Sequence, residues 1–233
     1  MRVDIWSDVR CPFCYIGKRK FEAGLEMFPH KDQIEVNWHS FQLDPNLETQ
    51  TDINVYDYFV ERKGVSPEQA ESMHRQVTQT AKDAGLQFNF DHSVVANSFN
   101  AHRLIQLAKT KGLGNEAEEQ LFHAYFTAGK NIDDAETLVQ TGVAAGIEPN
   151  EVREMLSSKA FEEEVKQDEQ QAQAIGIRGV PFFVFNNRYA VSGAQAPETF
   201  TAALEQSFGE FEKENKIIIS EGGDACSVDG NCN

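Results

Sequence analysis

Hydrophobic spacing changes character several times along the 233-residue chain. Val3-Asp4-Ile5-Trp6 is a short apolar run with β-prone residues. Ile16, Phe21, Leu25 and Phe28 then recur three to five residues apart among Lys18, Arg19, Lys20 and Glu22, which predicts a helix. Ile34 to Trp38 alternates and predicts a second strand, until Asp44-Pro45-Asn46 breaks the pattern. Strand, helix and strand in this order form a βαβ unit, whose crossover is right-handed.

From Asn54 to Ser158 the period is helical throughout. Short helices are expected at Val55 to Arg62 and after Pro149. Longer ones are expected from Ser66-Pro67 towards Gly85, then over Asn97 to Lys111, Asn115 to Ala128 and Asp133 to Ala145. Ser66 followed by Pro67, Glu68 and Gln69 has the composition of a helix start. No strand-like alternation interrupts the region, so it reads as an all-helical insertion. An acidic helix over Ala160 to Ile175 leads back to Val180-Pro181-Phe182-Phe183-Val184-Phe185. Asn186-Asn187 and Arg188 to Gly193 complete a hairpin, because Asn tolerates the positive φ of a tight turn. Pro197 opens a closing helix through Phe200, Leu204 and Phe208.

The first strand-to-helix junction carries the chemistry. Cys11-Pro12-Phe13-Cys14 places two cysteines three residues apart at the helix start. Pro12 suits the first turn, where an N–H would lack a partner. Unpaired N–H groups and the positive end of the helix dipole favour an anion there, so a thiolate at Cys11 gains from both. Thiolates attack disulfides. Cys14, one turn further in, is less accessible and suits the resolving step, attacking a mixed disulfide between Cys11 and a substrate. Half of a zinc site, or core filling, are the competing explanations. Zinc needs four ligands and no second Cys-x-x-Cys or His-rich partner lies nearby, while core filling does not account for the junction. Redox chemistry, which needs no cofactor, is preferred.

Composition narrows the context. A content of 40% hydrophobic residues with 17 Phe provides for a sizeable core. A formal charge of −16 argues against nucleic acid and anionic membrane surfaces as partners. No apolar run approaches the ~20 residues that span a bilayer. The chain enters a strand almost at once, leaving no room for a signal peptide, so the cytoplasm is the expected compartment. Thiols there are mostly reduced, which favours catalytic over structural cysteines. His39, His102 and His123 show no metal-ligand spacing and read as hydrogen-bonded structural residues.

These features together resemble the DsbA family of thioredoxin-fold oxidoreductases. The resemblance runs from Val3 to about Phe208. It rests on Cys11-Pro12-Phe13-Cys14 after the first strand, a helical insertion after the second, and Gly179-Val180-Pro181 before an apolar third strand. Trp38 to Pro45, Ser192-Gly193-Ala194-Gln195 and a C-terminal cysteine pair resemble the cytoplasmic FrnE-like branch. Periplasmic relatives carry His where Phe13 stands. The resemblance implies an α/β fold with a thioredoxin-like mixed four-stranded sheet. Residues 1–44 and 160–212 would form that domain, 45–159 the insertion and 213–233 a tail.

It implies further that Cys11 and Cys14 are catalytic, and that Val180, Pro181, Pro12 and Phe13 contact substrate. The Val180-Pro181 bond would be cis, whereas an ordinary trans proline is what the strand start alone suggests. Protein or small-molecule disulfides and thiols, glutathione among them, are the implied partners. Kappa-class glutathione transferases and chromene-carboxylate isomerases share the architecture but place Ser where Cys11 stands. A zinc-binding protein using both cysteine pairs is a third reading. In the tail, Ile217-Ile218-Ile219 is expected to dock on the body, with Cys226 and Cys232 as an accessory redox pair.

Overall fold

The computed structural model describes residues 1–215. Strand β1 (Arg2–Ser7) is buried from Val3 onward, so it lacks the alternation of a half-exposed strand. It is central in a four-stranded sheet of order β2-β1-β5-β6, with β2 spanning Glu35–Ser40, β5 Phe182–Phe185 and β6 Tyr189–Ser192. β1 and β2 run parallel, with Ile5 opposite Trp38. β5 is antiparallel to both β1 and β6, with Ile5 opposite Phe183. Asn186 and Asn187 both have positive φ, 50° and 56°, as the predicted turn requires.

Alternate residues of β1 serve opposite faces. Val3 and Ile5 join Phe21, Phe183, Phe185, Phe200 and Phe208 in the main core under helices α1 (Pro12–Glu26) and α9 (Pro197–Asn215). These helices cross closely at Gly24, where a Cβ would lie 2.6 Å from the Pro197 carbonyl oxygen and 2.9 Å from Phe200 Cβ. Trp6 faces the other way and packs with Ala172 and Ile177. Its neighbour Asp4 is buried on that face with His39. His39 is fully hydrogen-bonded, as expected: Nδ1 to Asp168 at 2.7 Å and Nε2 to Asp4 at 2.8 Å, its ring stacked on Trp6.

Between β2 and β5 the chain is mostly helical. α2 (Val55–Lys63), α3 (Pro67–Asp83), α4 (Phe99–Lys109), α5 (Gly114–Phe122), α6 (Ala135–Ala144), α7 (Pro149–Leu156) and α8 (Glu162–Ala174) follow in order. Ser66 and Gln69 make the reciprocal cap of α3. The expectation of an all-helical segment needs one correction. Gln50–Asn54 (β3) and Val94–Val95 (β4) form a short antiparallel pair. Its stretch Gln50-Thr51-Asp52-Ile53-Asn54 holds one apolar residue, so no alternation announces it. Two helix limits also moved. α5 ends in a π-helical turn over His123–Thr127, and α8 starts after Phe161, which has a left-handed φ of 65° and a ring packed against the core.

Candidate active site

Cys11 is the residue that caps α1 at its N-terminal end, with extended φ and ψ of −87° and 112°. Its N–H donates to Asp8 O at 2.9 Å, and its carbonyl accepts from Cys14 N at 3.0 Å. The sulfur therefore sits at the helix start, as the motif predicts. Both cysteines are free thiols and both are buried, Cys11 5% exposed and Cys14 1%. Phe13 projects outward at 45% exposure.

The Val180-Pro181 peptide is cis, as the family resemblance implies. Cys11 Sγ lies 3.6 Å from the Val180 carbonyl oxygen, a weak S–H···O contact. Pro181 packs directly on the first turns of α1. A Cβ on Gly17 would lie 2.9 Å from Pro181 Cγ, so this approach requires glycine. The fold thus gathers Cys11, Pro12, Phe13, Cys14, Val180 and Pro181 at one end of the sheet. Cys226, Cys232 and Ile217 to Ile219 lie outside the described residues, and so does the docking expected of them.

Behind Cys14 the structure assembles groups that the motif does not announce. Burial pushes the Cys14 thiol well above its usual range and proximity to Cys11 adds to this, while the Asp8 backbone and the Ser7 hydroxyl pull it back. Ser7 Oγ donates to Glu118 Oε1 of α5 at 2.6 Å. Glu118 is 1% exposed, and burial raises it to about 7 against the pull of Ser7, His102 and Lys18. Asp8 and His102 of α4 are also buried, with His102 Nε2 3.5 Å from Asp8 Oδ1.

That separation is an ion-pair distance, and neither His102 nitrogen has a hydrogen-bond partner among the described residues. His102 thus meets Asp8 at ion-pair distance, where a hydrogen bond was expected; His123 is exposed. Burial opposes charge on His102, but Asp8, with Glu118 and Glu169, outweighs it and raises its basicity. Burial likewise opposes charge on Asp8. His102 and the Leu43 N–H, which donates at 2.8 Å, hold that carboxyl below its usual range.

A cavity of about 540 Å³ opens beside the cysteines. Cys11, Pro12 and Phe13 form one side, and Phe59, Phe90 and Phe126 lie among its apolar walls. Arg10, one residue before Cys11, lines it as well. Sequence reasoning passed over Arg10, Ser7 and Asp8 although they adjoin the motif, because residue type alone does not show which of them is buried.

A DSBA-like thioredoxin domain matches residues 2–205. A probable DsbA oxidoreductase from Streptomyces coelicolor is 38% identical, with a TM-score of 0.85 over 100% of this chain and 98% of that one. The cytosolic disulfide reductase DsbM from Pseudomonas aeruginosa is 18% identical with a TM-score of 0.63, over 90% of this chain and 100% of that one, a likeness of fold. An uncharacterized protein, YwbO from Bacillus subtilis, is 25% identical over 210 residues, 88% of this chain and 96% of its own. The sheet order, the junction cysteines and a domain match reaching from β1 into α9 agree, and the chain belongs to the family of DSBA-like thioredoxin domains.

Proposed function

We propose that this protein is a thiol–disulfide oxidoreductase in which Cys11 is the nucleophile and Cys14 the resolving thiol. The observation that carries the reading is the position of Cys11 as the cap of α1, its sulfur beside the Val180 carbonyl and Cys14 buried one turn behind. In the reducing direction, the Cys11 thiolate attacks a substrate disulfide R–S–S–R′. A Cys11–S–S–R bond forms and R′–S⁻ leaves. Cys14 gives up its proton and attacks the Cys11 sulfur, which releases R–S⁻ and closes the Cys11–Cys14 disulfide. Two electrons pass from enzyme to substrate. The reverse sequence oxidises a substrate dithiol, and the reduction potentials of enzyme and substrate decide the direction.

The resolving step needs a proton acceptor, because burial keeps Cys14 protonated. Ser7 has a single hydroxyl proton, which it gives to ionised Glu118. In the proposed route its lone pairs accept the Cys14 proton, after which its hydroxyl serves the thiolate, the contact by which Ser7 pulls the Cys14 thiol down. As the thiol proton moves to Ser7 Oγ, the Ser7 proton moves to Glu118. An acid near 7 is well matched to that task at neutral pH. The acidic partner thus comes from α5, far along the chain.

Val180 and Pro181 border the attacked sulfur, and a substrate segment pairing with that backbone is part of the proposal. Placement in the cytoplasm and membership of the FrnE-like branch belong to the same reading. No helix of the described residues is long and apolar enough to cross a membrane. The test is a pair of serine variants. Cys11→Ser should abolish reaction with disulfides, and Cys14→Ser should accumulate a mixed disulfide at Cys11, visible by intact mass. Faster alkylation of Cys14 than of Cys11 in the reduced protein overturns the assignment.

A further inference from the structure

We infer that the cavity beside Cys11 selects a compact aromatic disulfide or thiol carrying a carboxylate, which Arg10 recognises. This deepens the proposed function and rests on Cys11 being the attacking thiol. Three observations point the same way. The chain has a formal charge of −16, yet among the described residues no Asp or Glu lines this cavity, whereas Arg10 and Lys63 do. A neighbouring cavity of about 640 Å³, without the cysteines, is lined by Asp44, Glu48 and Glu61 together with Arg62, which pairs with Asp44. The charge complement of the Cys11 cavity is therefore an anion.

Arg10 is the second observation. Among the described residues no carboxylate makes an ion pair with its side chain, and its Nε is buried without a hydrogen-bond partner. The guanidinium instead meets the hydroxyls of Tyr58 and Tyr125, its carbon 6.0 Å from the Tyr58 ring centroid. Asp8 reaches it only through charge, and that carboxylate is already engaged by the Arg10 and Leu43 N–H groups and by His102. A half-buried guanidinium with neutral partners is matched to a planar carboxylate, which accepts two parallel hydrogen bonds.

The third observation is size and lining. About 540 Å³ walled by aromatic side chains holds a drug-sized molecule and favours rings that stack on Phe59, Phe90 or Phe126. Glutathione has no ring to stack on those walls. An aryl disulfide with its ring in the cavity and its carboxylate towards Arg10 has one sulfur beside Cys11. Attack forms Cys11–S–S–aryl and expels one aryl thiolate. Resolution by Cys14 expels the second, and the dithiol of the enzyme supplies both electrons.

The experiment mixes reduced full-length protein with an excess of disulfide and no other reductant, and follows thiolate release by stopped flow. Dithiobis(nitrobenzoate) is the carboxylate probe, dithiodipyridine the neutral aromatic one and hydroxyethyl disulfide the small aliphatic one. In Arg10→Met, the ratio of carboxylate to neutral aromatic first-phase rates should fall about tenfold to a hundredfold, the range for losing a charge-assisted hydrogen bond. The ratio cancels any change in Cys11 reactivity common to both probes. Val77→Trp, which fills the cavity, should slow both aromatic probes about tenfold relative to hydroxyethyl disulfide.

In the unaltered protein, naphthoate should protect Cys11 from iodoacetamide saturably while naphthamide does not. This measurement does not depend on the folding of a variant. An unchanged rate ratio in a folded Arg10→Met protein, or equal protection by naphthoate and naphthamide, overturns the inference. Absence of thiolate release from every disulfide overturns instead the role of Cys11.

Discussion

Replacing Glu118 by Gln separates the resolving step from the stability of the fold. The amide oxygen can still accept from Ser7 Oγ, so the 2.6 Å contact has a substitute, but no proton can be stored there. Burial raises Glu118 from 4.5 to about 7. An acid with a higher native than unfolded pKa holds its proton more tightly in the folded state. Its contribution to stability is thus fully present below pH 4.5, declines as pH rises and is lost above about 7. At 1.36 kcal/mol per pH unit, the cost of ionising it in the folded protein at pH 8 is about 3 kcal/mol. Glu118→Gln should therefore be more stable than the parent at pH 8, by up to about 3 kcal/mol, and little changed at pH 4.5.

The catalytic effect should run the other way. With dithiobis(nitrobenzoate), the first thiolate released reports attack by Cys11 and the second reports resolution by Cys14. The second phase should slow about a hundredfold, within the range for losing a general base. Its dependence on a group titrating near pH 7 should also disappear. Urea unfolding at the two pH values and stopped-flow absorbance supply both measurements. A second phase within twofold of the parent, with an unaltered pH profile, refutes the Ser7–Glu118 route. A variant no more stable than the parent at pH 8 refutes the assigned cost of burial.

Three further outcomes are expected. Phe13→His adds a cationic donor at an exposed position beside Cys11, which should speed its alkylation severalfold at neutral pH and make the disulfide more oxidising, about 30 mV per 1.4 kcal/mol. An unchanged redox equilibrium with glutathione would count against it. Gly17→Ala drives a methyl to 2.9 Å from Pro181 Cγ and should cost about 1–3 kcal/mol in urea unfolding and slow disulfide exchange, whereas parent-like values would mean that α1 and Pro181 can separate freely.

The third concerns His39. Burial opposes its charge, but hydrogen bonds to Asp168 and Asp4 outweigh this and raise its pKa above 6.5. The resulting stability is fully present below 6.5 and lost as pH rises through the native value, so unfolding midpoints should decline over that window in the parent and flatten in His39→Gln.

The sequence by itself determined the elements whose cause is local. Cys11-Pro12-Phe13-Cys14 lies where an apolar run gives way to helical spacing, and the neighbouring residues alone place its sulfur at a helix start. Asn186-Asn187 specified its turn, and Ser66 with Gln69 its cap, through backbone preferences that act within four residues. Family resemblance supplied the cis Val180-Pro181 bond, for which the local strand start would have given trans.

Tertiary structure decided whatever depends on contacts between distant segments. Ser7 meets Glu118 across 111 residues, and His102 reaches Asp8 from α4. A helical period shows that α4 and α5 have apolar faces but not which polar residue will be carried inside with them. Phe161 also takes a left-handed conformation, and β3 pairs with β4, without a sequence signal. The cavity, which no acidic residue lines among the described residues, arises in the same way. Its walls come from α1, α2, α3, residues 90–95 and the segment after α5, and only their convergence sets the Arg10 guanidinium beside the hydroxyls of Tyr58 and Tyr125.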